Sequence, residues 1–246
     1  MEGRGLRRVS RRRAPHDDRR SGPCARRPAG GHVSGEPRGA GGPPRLFVKI
    51  CGITRSQDAD LAVGLGAGAL GFVFWPDSPR YVHPATARAI AATVPPSVAK
   101  VGVFVDERAE EIARIMDDVG LDVAQLHGRE TPAFCRQLNR RVFKAVGLND
   151  NGIVEIADFD PDVVLLVDAH DPVRHGGTGR TANWDSARDI AATRRTILAG
   201  GLNAANVKLA IRSVRPFGID VASGVEASPG IKDPNRLRTF FEALHD

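Results

Sequence analysis

Lysine is absent from the first 45 residues, and large apolar side chains nearly so. Twelve arginines stand there against Glu2, Asp17, Asp18 and Glu36, among many glycines and prolines. A segment this poor in apolar surface cannot offset its chain entropy by burial, so residues 1–44 are expected to be a disordered extension. The segment also lacks the apolar core of roughly 7–15 residues that a secretory signal needs. Only Ser10, Ser21 and Ser34 supply serine, and no amphipathic period is visible, which disfavours a transit peptide. A solvated extension, such as an over-long translation start leaves, is the favoured reading.

Other absences narrow the rest. No stretch reaches the roughly 18 apolar residues of a membrane span. The three cysteines, Cys24, Cys51 and Cys135, are too far apart for a disulfide framework or a zinc pattern, so a reducing cytoplasm is the simplest compartment. No glycine fingerprint follows the first apolar run, which lowers a dinucleotide reading. Beyond residue 45 the chain holds 23 basic against 25 acidic residues, so the net charge of +6 belongs to the tail. The remainder shows no nucleic-acid face. Neither a metal nor a cofactor is expected.

What is present from residue 45 to 246 is a rhythm. Short β-branched apolar runs alternate with helix-like stretches: Leu46–Ile50, Ala69–Phe74, Ala99–Val105, Asp122–Leu126, Val142–Val146, Val163–Val167, Thr196–Ala199 and Gly218–Val221. Each run is apolar on both faces, as parallel strands covered on both sides are. Helix starts fit at Thr54 or Ser56, at Pro84, at Thr131–Pro132, and at Asn203 for a helix to about Val214. Asp150–Phe159 has the weakest helical pattern. Eight such units in about 200 residues predict an α/β fold, a single-domain (β/α)8 barrel of the TIM type. A doubly wound open sheet is the runner-up, because periodicity alone does not establish closure.

A barrel places chemistry where strands end and the following loops begin. Cys51 ends the first strand. Alternation puts Phe47, Lys49 and Cys51 on one face and Val48 and Ile50 on the other. Position alone leaves Cys51 either a small buried filler or a base at the mouth. Lys49 either tunes a thiolate or packs the interior. Asp168 ends the sixth apolar strand and either caps its loop or acts on a ligand. Asp171 is a weaker candidate. Gln125, His127, Asp106 and Asp220 also fall at or near strand ends. Late glycines, namely Gly177 and Gly179 within Gly176–Gly179, then Gly200 and Gly201, then Ser223 and Gly224, suit a phosphate, whose oxygens need close backbone N–H groups.

Residues 46–246 resemble the phosphoribosylanthranilate isomerase family. The matching blocks include Val48-Lys49-Ile50-Cys51-Gly52-Ile53-Thr54, Ser78-Pro79-Arg80-Tyr81-Val82, Gln125-Leu126-His127-Gly128, Leu198-Ala199-Gly200-Gly201 and Asp220-Val221-Ala222-Ser223-Gly224-Val225-Glu226. The resemblance implies a step of tryptophan biosynthesis, an Amadori rearrangement of N-(5-phosphoribosyl)anthranilate. It implies Cys51 as general base, Asp168 as general acid, Arg80 against the anthranilate carboxylate, and the late glycines on the phosphate. Gln125, His127 and Asp220 are expected substrate contacts. The partner is this small molecule, with no membrane or nucleic acid, and the enzyme is a monomer or homodimer.

Rival readings remain. The sugar-phosphate isomerase of histidine biosynthesis places an aspartate where Cys51 stands. Ribulose-phosphate epimerases need metal-binding histidines, and the seven histidines here include no two at the strand ends such a centre would use. A catalytically silent phosphate-binding barrel would have no use for Cys51 and Asp168 together. An RNA-binding protein would depend on the arginine tail.

Overall fold

The computed structural model describes residues 46–148, 156–168 and 184–245. The extension, the Gly176–Gly179 cluster and Asp171 lie outside the described residues. Eight parallel strands close into a barrel: β1 (Phe47–Cys51), β2 (Ala69–Val73), β3 (Ala99–Phe104), β4 (Val123–Leu126), β5 (Val142–Gly147), β6 (Val164–Asp168), β7 (Thr196–Ala199) and β8 (Gly218–Val221). Closure is explicit in the register: Lys49 of β1 pairs with Ala69 of β2 and with Asp220 of β8. The open doubly wound sheet is thereby excluded.

Helices cover the outside: α1 (Ser56–Gly64), α2 (Pro84–Ala91), α3 (Ala109–Val119), α4 (Pro132–Leu138), α5 (Trp184–Ala191), α6 (Val207–Val214) and α7 (Pro234–His245). Local chemistry sets their starts. Pro84 and Pro132 open their helices in the first turn, where a missing N–H costs nothing. The Thr131 side chain accepts from the Phe134 N–H at 3.2 Å. The expected cap at Asn203 is displaced. Asn206 is the N-cap of α6, while Asn203 closes a turn ahead of it, its side chain accepting from the Ala205 N–H at 2.9 Å. No helix is long and apolar enough to cross a membrane among the described residues.

The outward residues of alternate strand positions, among them Val48, Ile50, Leu70, Phe72, Leu165, Val167 and Ile219, form one core with the helices. Each such side chain contributes roughly 1.5–3 kcal/mol by leaving water. Inward residues, including Phe47, Ala99, Val101, Val123, Phe143, Leu166 and Ile197, fill the barrel. At its N-terminal end Phe47 stacks on Phe217 at 5.5 Å and meets Phe143 edge-on at 6.3 Å, with the Arg195 guanidinium 4.1 Å from the Phe217 ring. That plug leaves the opposite end for chemistry.

One stretch of the sequence reading lies mostly outside the described residues, and another differs from it. Of Asp150–Phe159 only Ile156–Phe159 is described, and it is a turn. Arg194 donates to the carbonyls of Ile156, Phe159, Asp160 and Val163 at 2.8–3.3 Å, so one side chain satisfies the backbone acceptors of this turn and of the segment leading into β6. After β8 an unexpected short turn (Ser223–Val225) leads into an antiparallel hairpin, β9 (Glu226–Ser228) with β10 (Ile231–Lys232).

Candidate active site

The floor of the mouth is built by β1, β2 and β8. Lys49 is completely buried and its Nζ donates to Asp220 at 2.7 Å. Register explains the pair, since Lys49 and Asp220 stand directly opposite on adjacent strands. Cys51, two residues further along the same face, is buried as a free thiol. Its partner on β2 is Gly71. A Cβ there would lie 2.9 Å from Cys51 Sγ and 3.0 Å from Lys49 Nζ, so the two groups converge on the space that glycine leaves.

The electrostatics follow. Burial pushes the Cys51 thiol up, Lys49 pulls it down, Asp220 raises it again, and the net is upward. Burial works against the Lys49 ammonium, but Asp220 and Cys51 outweigh it and hold its pKa above the ordinary value. A buried cation therefore stands beside Cys51, and dehydration of the thiol prevails over it.

The far wall comes from β4 and β6. Gln125 is buried on the inner face of β4, and its Nε2 donates to His127 Nδ1 at 3.1 Å. Gln125 Oε1 is buried without a hydrogen-bond partner among the described residues, so a polar acceptor is left over inside the barrel. His127 is exposed at the rim, yet the barrel walls crowd it enough that desolvation lowers its pKa; Asp168 and Asp220 push the other way, and Lys49 and Lys144 assist the lowering. Asp168, the half-buried last residue of β6, thus lies within electrostatic reach of His127. His127 also senses Lys49 and Asp220, the two residues that flank Cys51. Cys51 and Asp168 accordingly border the same end of the same barrel.

The loop between β4 and α4 is held by buried ions. Lys144 of β5 donates to Glu130 at 2.8 Å and to the carbonyls of Gly128 and Leu126 at 2.6 and 3.2 Å. Glu130 in turn accepts from the Asp106 N–H and the Gly128 N–H, both at 2.9 Å. Asp106, a possible substrate contact by sequence position, accepts from the Arg129 N–H at 2.6 Å and shapes this loop.

Arg80, in the loop after β2, crosses the end of β1. Its Cδ occupies the space beside Gly52, which has φ +77° and no side chain to compete; a Cβ there would lie 2.8 Å away. Its guanidinium grips Glu226 of β9 through Nε at 2.9 and 3.1 Å and Nη2 at 2.7 Å. Glu226 is also bonded by Lys232 of β10 at 2.9 Å, and the same ammonium donates to the Cys51 carbonyl at 2.5 Å.

The glycine loops after β7 and β8 meet. Gly200 and Gly201 both have positive φ, +97° and +63°. The Gly201 carbonyl is held by the side-chain amides of Asn206 and Asn203 at 3.0 and 3.3 Å, which fixes the peptide plane of the loop. Gly224 abuts the Leu202 carbonyl so closely that a Cβ would collide with it.

Comparison with known proteins decides what this arrangement belongs to. The family model for N-(5'-phosphoribosyl)anthranilate (PRA) isomerase matches residues 48–243. The chain belongs to this family. A relative named N-(5'-phosphoribosyl)anthranilate isomerase from Pelobacter propionicus is 50% identical over 195 residues, covering 79% of this chain and 93% of the relative. The phosphoribosyl anthranilate isomerase of Thermotoga maritima superposes with a TM-score of 0.73 at 41% identity, covering 82% of this chain and 99% of that one. A further isomerase structure, solved with reduced 1-(o-carboxyphenylamino)-1-deoxyribulose 5-phosphate, matches with a TM-score of 0.71 at 39% identity, over 82% and 99% of the two chains.

Within the family frame, Cys51, Asp168, Gln125, His127, Asp220 and Arg80 all fall at one end of the barrel, together with Gly200, Gly201, Ser223 and Gly224. Gly177 and Gly179 lie outside the described residues. Sequence reasoning assigned no role to Glu226, Lys232, Glu130 or Gly71. The matched block ending in Glu226 and a glycine inside the apolar β2 run, Gly71, were the available signals; neither names a partner.

Proposed function

We propose that the chain is a working phosphoribosylanthranilate isomerase of tryptophan biosynthesis, with Cys51 as base and Asp168 as acid. The observation behind this reading is the meeting of a free thiol, a buried cation and a carboxylate at one barrel mouth in a chain of this family.

The substrate is N-(5-phosphoribosyl)anthranilate. Asp168 delivers a proton to the furanose ring oxygen as the C1–O bond breaks, and the aniline nitrogen lone pair forms the C1 iminium. The iminium acidifies C2. Cys51, as thiolate, takes the C2 proton, and the electron pair moves to make the enolamine. Tautomerisation gives the C2 ketone of 1-(2-carboxyphenylamino)-1-deoxyribulose 5-phosphate. Asp168 ends ionised and Cys51 protonated, and proton exchange restores both. The glycine loops after β7 and β8 take the phosphate through backbone N–H groups. Arg80 takes the anthranilate carboxylate with its planar fork. Gln125 Oε1 accepts from a sugar hydroxyl, which satisfies its unused acceptor. His127 and Asp220 line the same space.

Every group named comes from a single chain, so a monomer or a homodimer serves. A reducing cytoplasm keeps Cys51 as a free thiol. Residues 1–44 take no part, and their deletion leaves turnover unchanged.

The test is a fluorescence assay with substrate generated from anthranilate and phosphoribosyl pyrophosphate by the preceding enzyme. Cys51→Ala and Asp168→Asn should each lower kcat by about 10²–10⁴-fold, the range of general acid–base catalysis, with KM little changed. Near-normal turnover in either variant removes that residue's role. Inactivity of the wild-type protein supports the silent phosphate-binding barrel instead.

A further inference from the structure

Glu226 and Lys232 are almost completely buried, and no step above uses either. Buried ion pairs add little net stability over apolar residues of similar volume, because desolvation cancels much of the attraction. What they do supply is direction. Glu226 takes the Nε–Nη2 edge of the Arg80 guanidinium with two-point geometry. That contact leaves Nη1 unclaimed by Glu226, on a side chain still 25% exposed. The Arg80 stem is fixed on its other side by Gly52. Stem and one edge are therefore both held.

The anchor of this grip is the chain's own catalytic strand. Lys232 bonds the Glu226 carboxylate and the Cys51 carbonyl together. The Gly230 N–H adds a bond to Glu226 at 3.2 Å. One carboxylate between two cations leaves the cluster a single positive charge, matching the one negative charge of a carboxylate ligand.

We propose that Glu226 is a positioning residue for carboxylate recognition: it fixes one edge of Arg80, referenced through Lys232 to Cys51, so that the other end of the guanidinium meets the anthranilate carboxylate. This rests on the isomerase reading above. It assigns to the hairpin after β8 the selection of substrates bearing an aromatic carboxylate.

The experiment uses the full chain and the Glu226→Gln variant, which retains a carbonyl acceptor but loses the charge. KM for N-(5-phosphoribosyl)anthranilate should rise about 10-fold or more, the scale of a lost charge-assisted hydrogen bond, while kcat stays within about 3-fold. Inhibition constants add a readout that a merely structural role would not split. The reduced product analogue, which has the benzoate, should weaken by the same factor. Ribulose 5-phosphate, which lacks it, should be unaffected. Arg80→Ala should show the same split, and the double variant Arg80→Ala/Glu226→Gln should be no worse than Arg80→Ala alone.

Equal weakening of both inhibitors, a loss confined to kcat, or wild-type behaviour of Glu226→Gln overturns the proposal. If Glu226→Gln does not fold, Glu226→Asp keeps the charge but shortens the reach, and the same split between the two inhibitors decides. A wild-type enzyme without isomerase activity refutes the underlying reading. An active wild type in which Arg80→Ala leaves KM unchanged refutes the role of Arg80, and with it that of Glu226.

Discussion

Lys49 and Asp220 stand opposite each other in the β1–β8 register, and their side chains meet at 2.7 Å beneath Cys51. The pair fixes a cation beside the thiol while its carboxylate opposes thiolate formation. Burial raises the Cys51 pKa most, Lys49 lowers it, Asp220 raises it, and the balance is upward.

A pH profile follows from that balance. In the mechanism proposed above the base is the thiolate, whose fraction grows as pH rises, so kcat/KM should keep climbing above neutral pH. Lys49→Gln retains a donor for Asp220 but removes the charge that lowers the thiol, so the climb should move to higher pH. Alkylation of Cys51 by iodoacetamide, measured against pH in a Cys24→Ala/Cys135→Ala background, should move with it. An identical profile in wild type and Lys49→Gln would mean that Lys49 does not tune the thiol.

Gly71 should be intolerant of even one methyl group. A Cβ there would press on Cys51 Sγ at 2.9 Å, on Lys49 Nζ at 3.0 Å and on Cys51 Cα at 3.1 Å. The lysine is fully buried and the Cα is backbone, so neither yields easily. Overpacking of this kind costs about 1–3 kcal/mol. Gly71→Ala should therefore fold with a lowered Tm and lose about 10-fold or more in kcat, the equivalent of roughly 1.4 kcal/mol of misplacement. Calorimetry and steady-state kinetics on the same sample check this; full activity would show that the three groups have room to move.

Alternation and junction position made much of this site legible from the sequence. A strand's period of two puts Lys49 on the face of Cys51 and turns Asp220 inward, while Cys51 and Asp168 stand at strand ends, where TIM-type barrels put function. Closure was not legible, since covered parallel strands read alike in open and closed sheets. The partners of the buried ions were hidden for a different reason. Arg80 and Glu226 are 146 residues apart, and nothing local marks either as half of a pair. The hairpin of Glu226 to Lys232 has strands of three and two residues, too short to show a period. The cap of α6 was misplaced because Asn203 and Asn206 are both good cap residues, and the tertiary turn at Gly201 chose between them.

Glu130 should prove essential to stability despite taking no part in catalysis. It is buried, pairs with Lys144, and accepts the N–H groups of Asp106 and Gly128. Removing one partner of a buried pair leaves a charge uncompensated and costs about 3–5 kcal/mol. Glu130→Ala should lose stability on that scale in urea unfolding. A loss below about 1 kcal/mol, the ordinary worth of a surface pair, would show that water replaces the carboxylate.

His127 provides a signature in both protonation and tautomer. The amide nitrogen of Gln125 can only donate, so Nδ1 of His127 accepts and the ring proton resides on Nε2. Desolvation, aided by Lys49 and Lys144, lowers the folded pKa below the ordinary 6.5, with Asp168 and Asp220 opposing. The unfolded chain therefore binds the proton first as pH falls. The His127 contribution to stability is fully present above about pH 6.5 and declines as pH drops from there through the lowered folded value. Urea unfolding of wild type and His127→Asn at pH 7.5 and 5.5 should show the wild type losing more stability on acidification than the variant. Nitrogen-15 shifts at pH 7.5 should report an unprotonated Nδ1. Substituting Gln125→Leu should then free the tautomer to redistribute without raising a charge on the ring at neutral pH. A protonated Nδ1 in the wild type would reverse the assigned direction of the Gln125 bond, and with it the identity of the atom that His127 offers to the ligand space.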